Sequence, residues 1–246
     1  MNDWLVLTKA RITAMVLVTT AAGYVLGAPR VELGTLVWLL VGVGLASGGA
    51  AALNQVYERD ADARMIRTAS RPVPAGRISP ARGLAAGLLL SAGGVGWLVF
   101  GINPLTGFLA LLTVVLYIAV YTPLKPRTSL NTLVGAIPGA IPPVIGWTAA
   151  TGSIGLGGWA LFCILFLWQL PHFLAIAWLF RDDYARGGFP MLPVVDPAGG
   201  STGRQATLYA LALIPVSLTP TLLGLTGGVY FFGALALGVA FLACGL

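Results

Sequence analysis

Between residues 54 and 62 the chain reads Asn54-Gln55-Val56-Tyr57-Glu58-Arg59-Asp60-Ala61-Asp62. On a helix, residues four apart share a face, so Asn54, Glu58 and Asp62 would stack one above the next. Like charges at that spacing repel by roughly a few tenths of a kcal/mol, which a bland surface has no reason to accept. Three hard oxygen donors in a row suit a cation such as Mg²⁺. Asp60 would point elsewhere, toward a second metal or an arginine. The spacing also leaves open a solvated loop of mixed charge. A second acidic pair, Asp182-Asp183, opens Asp182-Asp183-Tyr184-Ala185-Arg186 directly after an apolar run. Two such clusters on one face can bridge a diphosphate through Mg²⁺. Diphosphate leaves only when its charge is compensated, by metals and by basic side chains. Arginine's planar fork fits phosphate oxygens, and Arg67, Arg71, Lys125 and Arg127 are the candidates.

Two further segments carry polar chemistry. Tyr121-Thr122-Pro123-Leu124-Lys125-Pro126-Arg127-Thr128-Ser129-Leu130-Asn131 is a short polar loop, readable either as part of a site or as charge that sets topology. Leu170-Pro171-His172-Phe173 places the chain's one histidine inside an apolar run. Polar residues at that depth are costly and usually face a bundle interior, and Pro171 is expected to kink the helix. His172 could be an axial ligand or contact for a haem, an acid/base group, or half of a helix–helix hydrogen bond.

The elements that must position these residues are membrane spans. The chain is 57% hydrophobic and 9% charged, with mean hydropathy +0.89, against roughly 25% charged residues in soluble domains. Eight apolar segments of spanning length are expected at 12–28, 33–53, 83–101, 104–121, 131–150, 157–180, 204–223 and 228–246, all helical because lipid offers the backbone no partners. The run 131–150 holds Pro138, Pro142 and Pro143 and reads as a broken or kinked helix. Long polar loops at 54–82, 122–130 and 181–203 then fall on one side. Thirteen of the fourteen basic residues lie there, with Arg30 opposite, so the positive-inside rule puts that side in the cytoplasm. The same distribution argues against nucleic acid as the partner of a chain with net charge +6. No cleavable leader is evident in Met1-Asn2-Asp3-Trp4, and Cys163 and Cys244 offer neither a disulfide framework nor zinc spacing. Gly83, Gly87 and Ser91, and Gly135 with Gly139, place small residues at the four-residue spacing of close helix contacts.

The order and spacing of these segments resemble the UbiA-type intramembrane prenyltransferases across nearly the whole chain. The superfamily's first acidic motif, Asn-Asp-x-x-Asp-x-x-x-Asp, falls on Asn54, Glu58 and Asp62, with Gln55 in place of the usual first Asp and Glu58 in place of the second. That pattern is similar to the haem-modifying branch rather than the quinone branch. So are Met65-Ile66-Arg67-Thr68, Arg71-Pro72-Val73-Pro74-Ala75-Gly76-Arg77, Tyr121-Thr122-x-x-Lys125, Pro142-Pro143-Val144-Ile145-Gly146-Trp147, Leu170-Pro171-His172-Phe173 and Asp182-Asp183-Tyr184-Ala185-Arg186. Leu7-Thr8-Lys9-Ala10-Arg11-Ile12 resembles the family's entry to its first span.

The resemblance implies one transmembrane domain over 1–246 that transfers farnesyl from farnesyl diphosphate to a vinyl group of haem B, making haem O. Mg²⁺ would sit on Asn54, Glu58, Asp62, Asp182 and Asp183. Arg67, Arg71, Lys125 and Arg127 would add positive charge, with Asn131 orienting one of them. His172 would contact the porphyrin, and Phe173 and Trp168 would shield the allylic cation or simply pack. It further implies a multi-pass protein of a bacterial-type inner membrane, in contact with lipid and with haem A synthase or oxidase-assembly partners. The family usually has nine spans, so a ninth is expected that these residues do not supply. An aromatic acceptor, a transporter and a non-catalytic scaffold are the competing readings.

Overall fold

The structure is a computed structural model describing residues 2–245. Among the described residues, eight helices are long and apolar enough to cross a membrane. They are α1 (Ala10–Gly27), α2 (Leu33–Tyr57), α3 (Pro80–Gly101), α4 (Pro104–Leu124), α5 (Asn131–Thr151), α6 (Gly155–Leu179), α7 (Gly200–Leu222) and α8 (Gly228–Gly245). They coincide with the eight apolar segments to within a few residues; the last residue of the 228–246 segment lies outside the described ones. The chief difference is at α2, which continues past its apolar run and carries Asn54 in its last turn. Large apolar side chains such as Leu33, Leu89, Phe100 and Val229 are strongly exposed, as a lipid-facing surface requires.

Without a hydrophobic drive between helices in lipid, packing rests on small residues that let backbones approach. The expected stripe on α3 does this against α2: Gly87 faces Leu53, and Ser91 meets Gly49. A tighter contact joins α1 to α5. A Cβ on Gly146 would collide with the Thr20 carbonyl, and one on Gly23 with the Pro143 carbonyl. Tyr24, Leu39, Leu98, Val144 and Ile145 form the largest buried cluster around these contacts.

Two spans depart from regular helix. α4 changes hydrogen-bond register, with a π-helical stretch over Leu116–Tyr121; such insertions cluster at functional sites. There the Tyr117 carbonyl takes both the Thr122 N–H and the Thr122 hydroxyl, the latter at 2.7 Å. α5 divides at Ile141 into Asn131–Ala140 and Pro142–Thr151, the break its prolines foretold. α6, by contrast, stays helical through Pro171.

The polar connections gather at one end. A short helix, Asp3–Leu7, is capped by the Asn2 side chain and tied to Arg77 through Asp3 at 3.0 Å. Leu7 buries against Ala52, Val73 and Ile78 of α2 and the following loop. Arg59–Asp62 and Arg181–Gly187 form further short helices at the same end, and Lys125 reaches Glu58 across it.

Candidate active site

The last turn of α2 and the short helix after it stay in register, since the Glu58 N–H donates to Asn54 O and the Asp62 N–H to Glu58 O. Asn54, Glu58 and Asp62 therefore do share one face, and all three are buried. Each meets a cation. Asn54 Oδ1 accepts from Lys9 Nζ at 2.7 Å, while its Nδ2 donates to Thr122 Oγ1 at 3.2 Å. Both Glu58 oxygens accept from Lys125 Nζ, at 2.9 and 3.1 Å. Asp62 Oδ2 accepts from Arg71 at 2.6 Å, and Asp62 Oδ1 is buried with no partner among the described residues. Gln55, next to Asn54, pins the following loop by accepting from the Val73 N–H at 3.1 Å.

Lys9 is the residue that sequence reasoning counted only as charge at the membrane edge. Among the described residues it is the one non-glycine with positive φ, at 47°, a conformation that costs about 1–3 kcal/mol and is kept only where the surroundings impose it. The bend turns its side chain inward to Asn54 and to the Tyr117 hydroxyl, 3.2 Å away. Burial, reinforced by Arg71, pulls its ammonium down to about 7. Burial also acts on Lys125, but Tyr121 and Glu58 outweigh it and hold Lys125 firmly protonated. For Glu58, burial favours the neutral acid, and Lys125 and Lys9 more than reverse this, so the group is a carboxylate. The cluster thus carries more positive than negative charge, which suits an anion.

The cluster closes one end of a cavity of about 380 Å³. Lys9, Arg67, Tyr117, Tyr121 and Tyr184 line that polar end, and Val16, Val43, Ala110 and Ile145 line the far wall. The π-helical stretch stacks Tyr117 on Tyr121, with centroids 5.6 Å apart, and Gly135 leaves the room that the Tyr121 ring fills. Neither tyrosine was legible as a cavity residue, because the register change that presents them has no sequence signature of its own.

The remaining candidates separate. Asn131 is buried and donates to the carbonyls of Lys125 and Thr128, at 3.3 and 2.6 Å. It thereby holds the loop that presents Lys125. Arg67 reaches the cavity, its guanidinium over the Phe180 and Tyr184 rings. Arg127 is exposed on the loop surface. Asp183 is buried but already occupied: it accepts from the Ile66 and Arg67 N–H groups and from Arg186, at 2.8, 3.0 and 2.7 Å. Asp182 is not brought to the cavity. Its side chain is 86% exposed, with Arg181 3.9 Å away, because one residue along a helix from Asp183 turns it outward. Asp60 is likewise exposed beside Arg59. His172 lies on the outer side of α6, stacked on Trp168 at 5.5 Å, rather than inside the bundle as its polarity suggested. Phe173 does line the cavity.

The first acidic segment fits a Mg²⁺ ion, since it offers oxygen donors only and one of them, Asp62 Oδ1, is buried and unpaired. Among the described residues, no group of three His, Cys, Asp or Glu side chains converges.

A helical bundle with a basic, carboxylate-bearing mouth over an apolar cavity is the architecture of an intramembrane prenyl-transfer protein, and the sequence profile of the UbiA prenyltransferase family matches residues 16–246. The chain belongs to that family. It is 49% identical over its full length to the protoheme IX farnesyltransferase of Solibacter usitatus, covering 88% of that protein. It is 50% identical over 98% of its length to that of Salinibacter ruber, covering 85%. The human mitochondrial protoheme IX farnesyltransferase is 44% identical over 89% of the chain, which spans 49% of that longer protein. Solved structures share the fold at low identity. A UbiA homolog from Aeropyrum pernix superposes with a TM-score of 0.78 at 18% identity, covering 96% of this chain and 87% of that one. A UbiA homolog from Archaeoglobus fulgidus, bound to GPP and Mg²⁺, gives 0.76 at 16%, covering 99% and 84%.

Proposed function

We propose that this protein transfers the farnesyl group of farnesyl diphosphate to a vinyl group of haem B, releasing diphosphate and making haem O. The observation that carries the reading is the cavity itself: a largely apolar chamber with Lys9 and Arg67 in its wall, next to the Lys125–Glu58 and Arg71–Asp62 pairs. Such a chamber takes an isoprenoid chain and binds its diphosphate at the mouth. The relatives at about half identity, all named protoheme IX farnesyltransferase, supply the acceptor.

In this reading the diphosphate meets Lys9, Lys125 and Arg67, whose charge stabilises the leaving group as the C–O bond lengthens. Mg²⁺ held on Asp62, with Glu58 and Asn54, would add charge compensation for the same oxygens. Asn131 keeps Lys125 in place through its backbone carbonyl. Tyr117 and Tyr121 present ring faces where the allylic cation forms, an interaction worth more once water is excluded. The haem vinyl supplies the electron pair for the new carbon–carbon bond. Asp183 acts at one remove, by fixing the turn that carries Arg67. Arg127 and Asp182 would meet the diphosphate only before it is seated, and His172 would meet a porphyrin edge from outside the cavity. We place the protein in a bacterial-type inner membrane with the polar loops cytoplasmic, handing its product to haem A synthase or oxidase-assembly partners.

An aromatic acceptor gains from the outward position of His172, which removes a haem contact from inside the cavity. One experiment separates the two. Purified protein with haem B, farnesyl diphosphate and Mg²⁺ should yield a porphyrin of haem O mass, and EDTA should abolish the product. Unmodified haem from folded protein, with prenylation of an added aromatic acid, would establish the aromatic acceptor instead.

A further inference from the structure

Pro142 and Pro143 break α5 and remove the N–H donors that a continuous helix would give to the Pro138 and Gly139 carbonyls. Pro138, Gly139 and Pro142 all line the cavity. Non-helical backbone at membrane depth persists where it borders such a cavity. A buried side chain comes to the break from α6. Gln169 is 4% exposed, and its Nε2 donates to the Ala136 carbonyl at 2.8 Å. A carbonyl can only accept, so this bond settles which end of the amide is which. It leaves Oε1 as an acceptor with no donor among the described residues, directed at Gly139: a Cβ on Gly139 would run into that oxygen. The site lies one helical turn, about 6 Å, beyond Gly135 and the Tyr121 ring that rests on it. Beside the cavity that Pro138 and Gly139 line, these acceptors offer partners for the two hydrogens of a single water and leave its oxygen free.

We infer that Gln169, with the freed carbonyls of Pro138 and Gly139, positions the water that ends the reaction. The inference rests on the proposed haem farnesylation. When C1 of the farnesyl chain bonds to the terminal vinyl carbon, its C–O electron pair leaves with the diphosphate and a cation remains on the vinyl carbon next to the ring. Water oxygen adds to that carbon, and the proton it sheds passes to the released diphosphate. Without a held water, the cation loses a proton from the adjacent carbon to the same base and becomes an alkene, lighter by one water. Gln169 is a positioning residue in this scheme; it neither gives nor takes the proton.

The test is the mass of the product from wild type, Q169L, Q169E and G139A, each assayed with haem B, farnesyl diphosphate and Mg²⁺. Q169L removes both the anchor and the acceptor, and should move most of the farnesylated haem to the form lighter by one water. Q169E, neutral at this depth, donates to Ala136 O and still accepts, so its product should keep the hydroxyl. G139A keeps Gln169 but crowds its oxygen, and should resemble Q169L. A purely structural Gln169 would change yield without changing product identity. Hydroxylated product from Q169L at the wild-type ratio overturns the inference. So does loss of all turnover in Q169L together with hydroxylated product from G139A. A wild-type protein that farnesylates no haem overturns the parent reading, and this one with it.

Discussion

The two acidic segments look alike on paper and do opposite work. Glu58 and Asp62 are buried next to Lys9 at the polar end of the cavity, each held by a cation, with one oxygen of Asp62 unpaired among the described residues. Asp183 is also buried, yet its oxygens are taken up by two backbone N–H groups and Arg186, and Asp182 beside it faces outward. The first segment keeps capacity for a ligand. The second spends its capacity on fixing the turn at Ile66 and Arg67. A carboxylate's role here follows from what already satisfies it, more than from its neighbours in sequence.

The sharpest way to break that contrast is Asp62→Asn. It removes the negative charge but little volume, and haem turnover should fall by about 10²-fold or more in protein that still purifies folded. If Asp182→Asn fell as far, the contrast would be gone. Next comes Lys9→Met, which takes one charge from the mouth and leaves Asn54 without its donor. We expect kcat/KM for farnesyl diphosphate to fall by about 10-fold or more, the scale of one lost charged hydrogen bond, with the far wall of the cavity unaffected. Asp183→Asn should act first on stability, lowering the unfolding free energy by roughly 1–3 kcal/mol. A scan of unfolding temperature in detergent would read this, and the activity left in folded protein should fall far less than for Asp62→Asn, since only the turn carrying Arg67 is loosened.

The Asp183 contribution also has a pH signature. Burial favours its neutral form, but Arg186 and the Arg67 and Ile66 N–H groups more than reverse this and hold the carboxyl below its usual range. A depressed folded value means the stabilisation is complete above the unfolded value near ~3.9 and is lost as pH falls through the lower folded one. The stability gap between wild type and Asp183→Asn should therefore be constant at neutral pH and shrink below about pH 4; a gap that widened on acidification would contradict the hydrogen-bond assignment. Smallest of all, Asp182→Asn should shift stability by less than about 0.5 kcal/mol and leave turnover unchanged.

Much of this was legible before any coordinates. The spans followed from composition and length, the break in α5 from its prolines, and the shared face of Asn54, Glu58 and Asp62 from four-residue spacing. Those are local properties, and a helix expresses them wherever it lies. Lys9, Tyr117 and Tyr121 were not legible. Lys9 enters the site only because the backbone bends at positive φ, and the tyrosines only because α4 shifts register, both imposed by packing between segments distant in sequence. His172 failed for the complementary reason. Its polarity predicts an interior position, but rotation about α6 is set by Leu170 and Leu174, which are buried on the opposite side. Asp182 and Asp183 show the same limit at one-residue resolution.

The glycine contacts between α1 and α5 have a mechanical consequence. Gly23 and Gly146 press backbone on backbone at the far end of α1, whereas Ile12, Thr13 and Val16 at its near end border open cavity. The helix is therefore held in two ways, by packed backbone at its far end and by the side-chain bonds of Lys9 to Asn54 and Tyr117 at its near one. A side chain can swing where packed backbone cannot, so the mouth can adjust to a guest while the floor of the chamber keeps its shape.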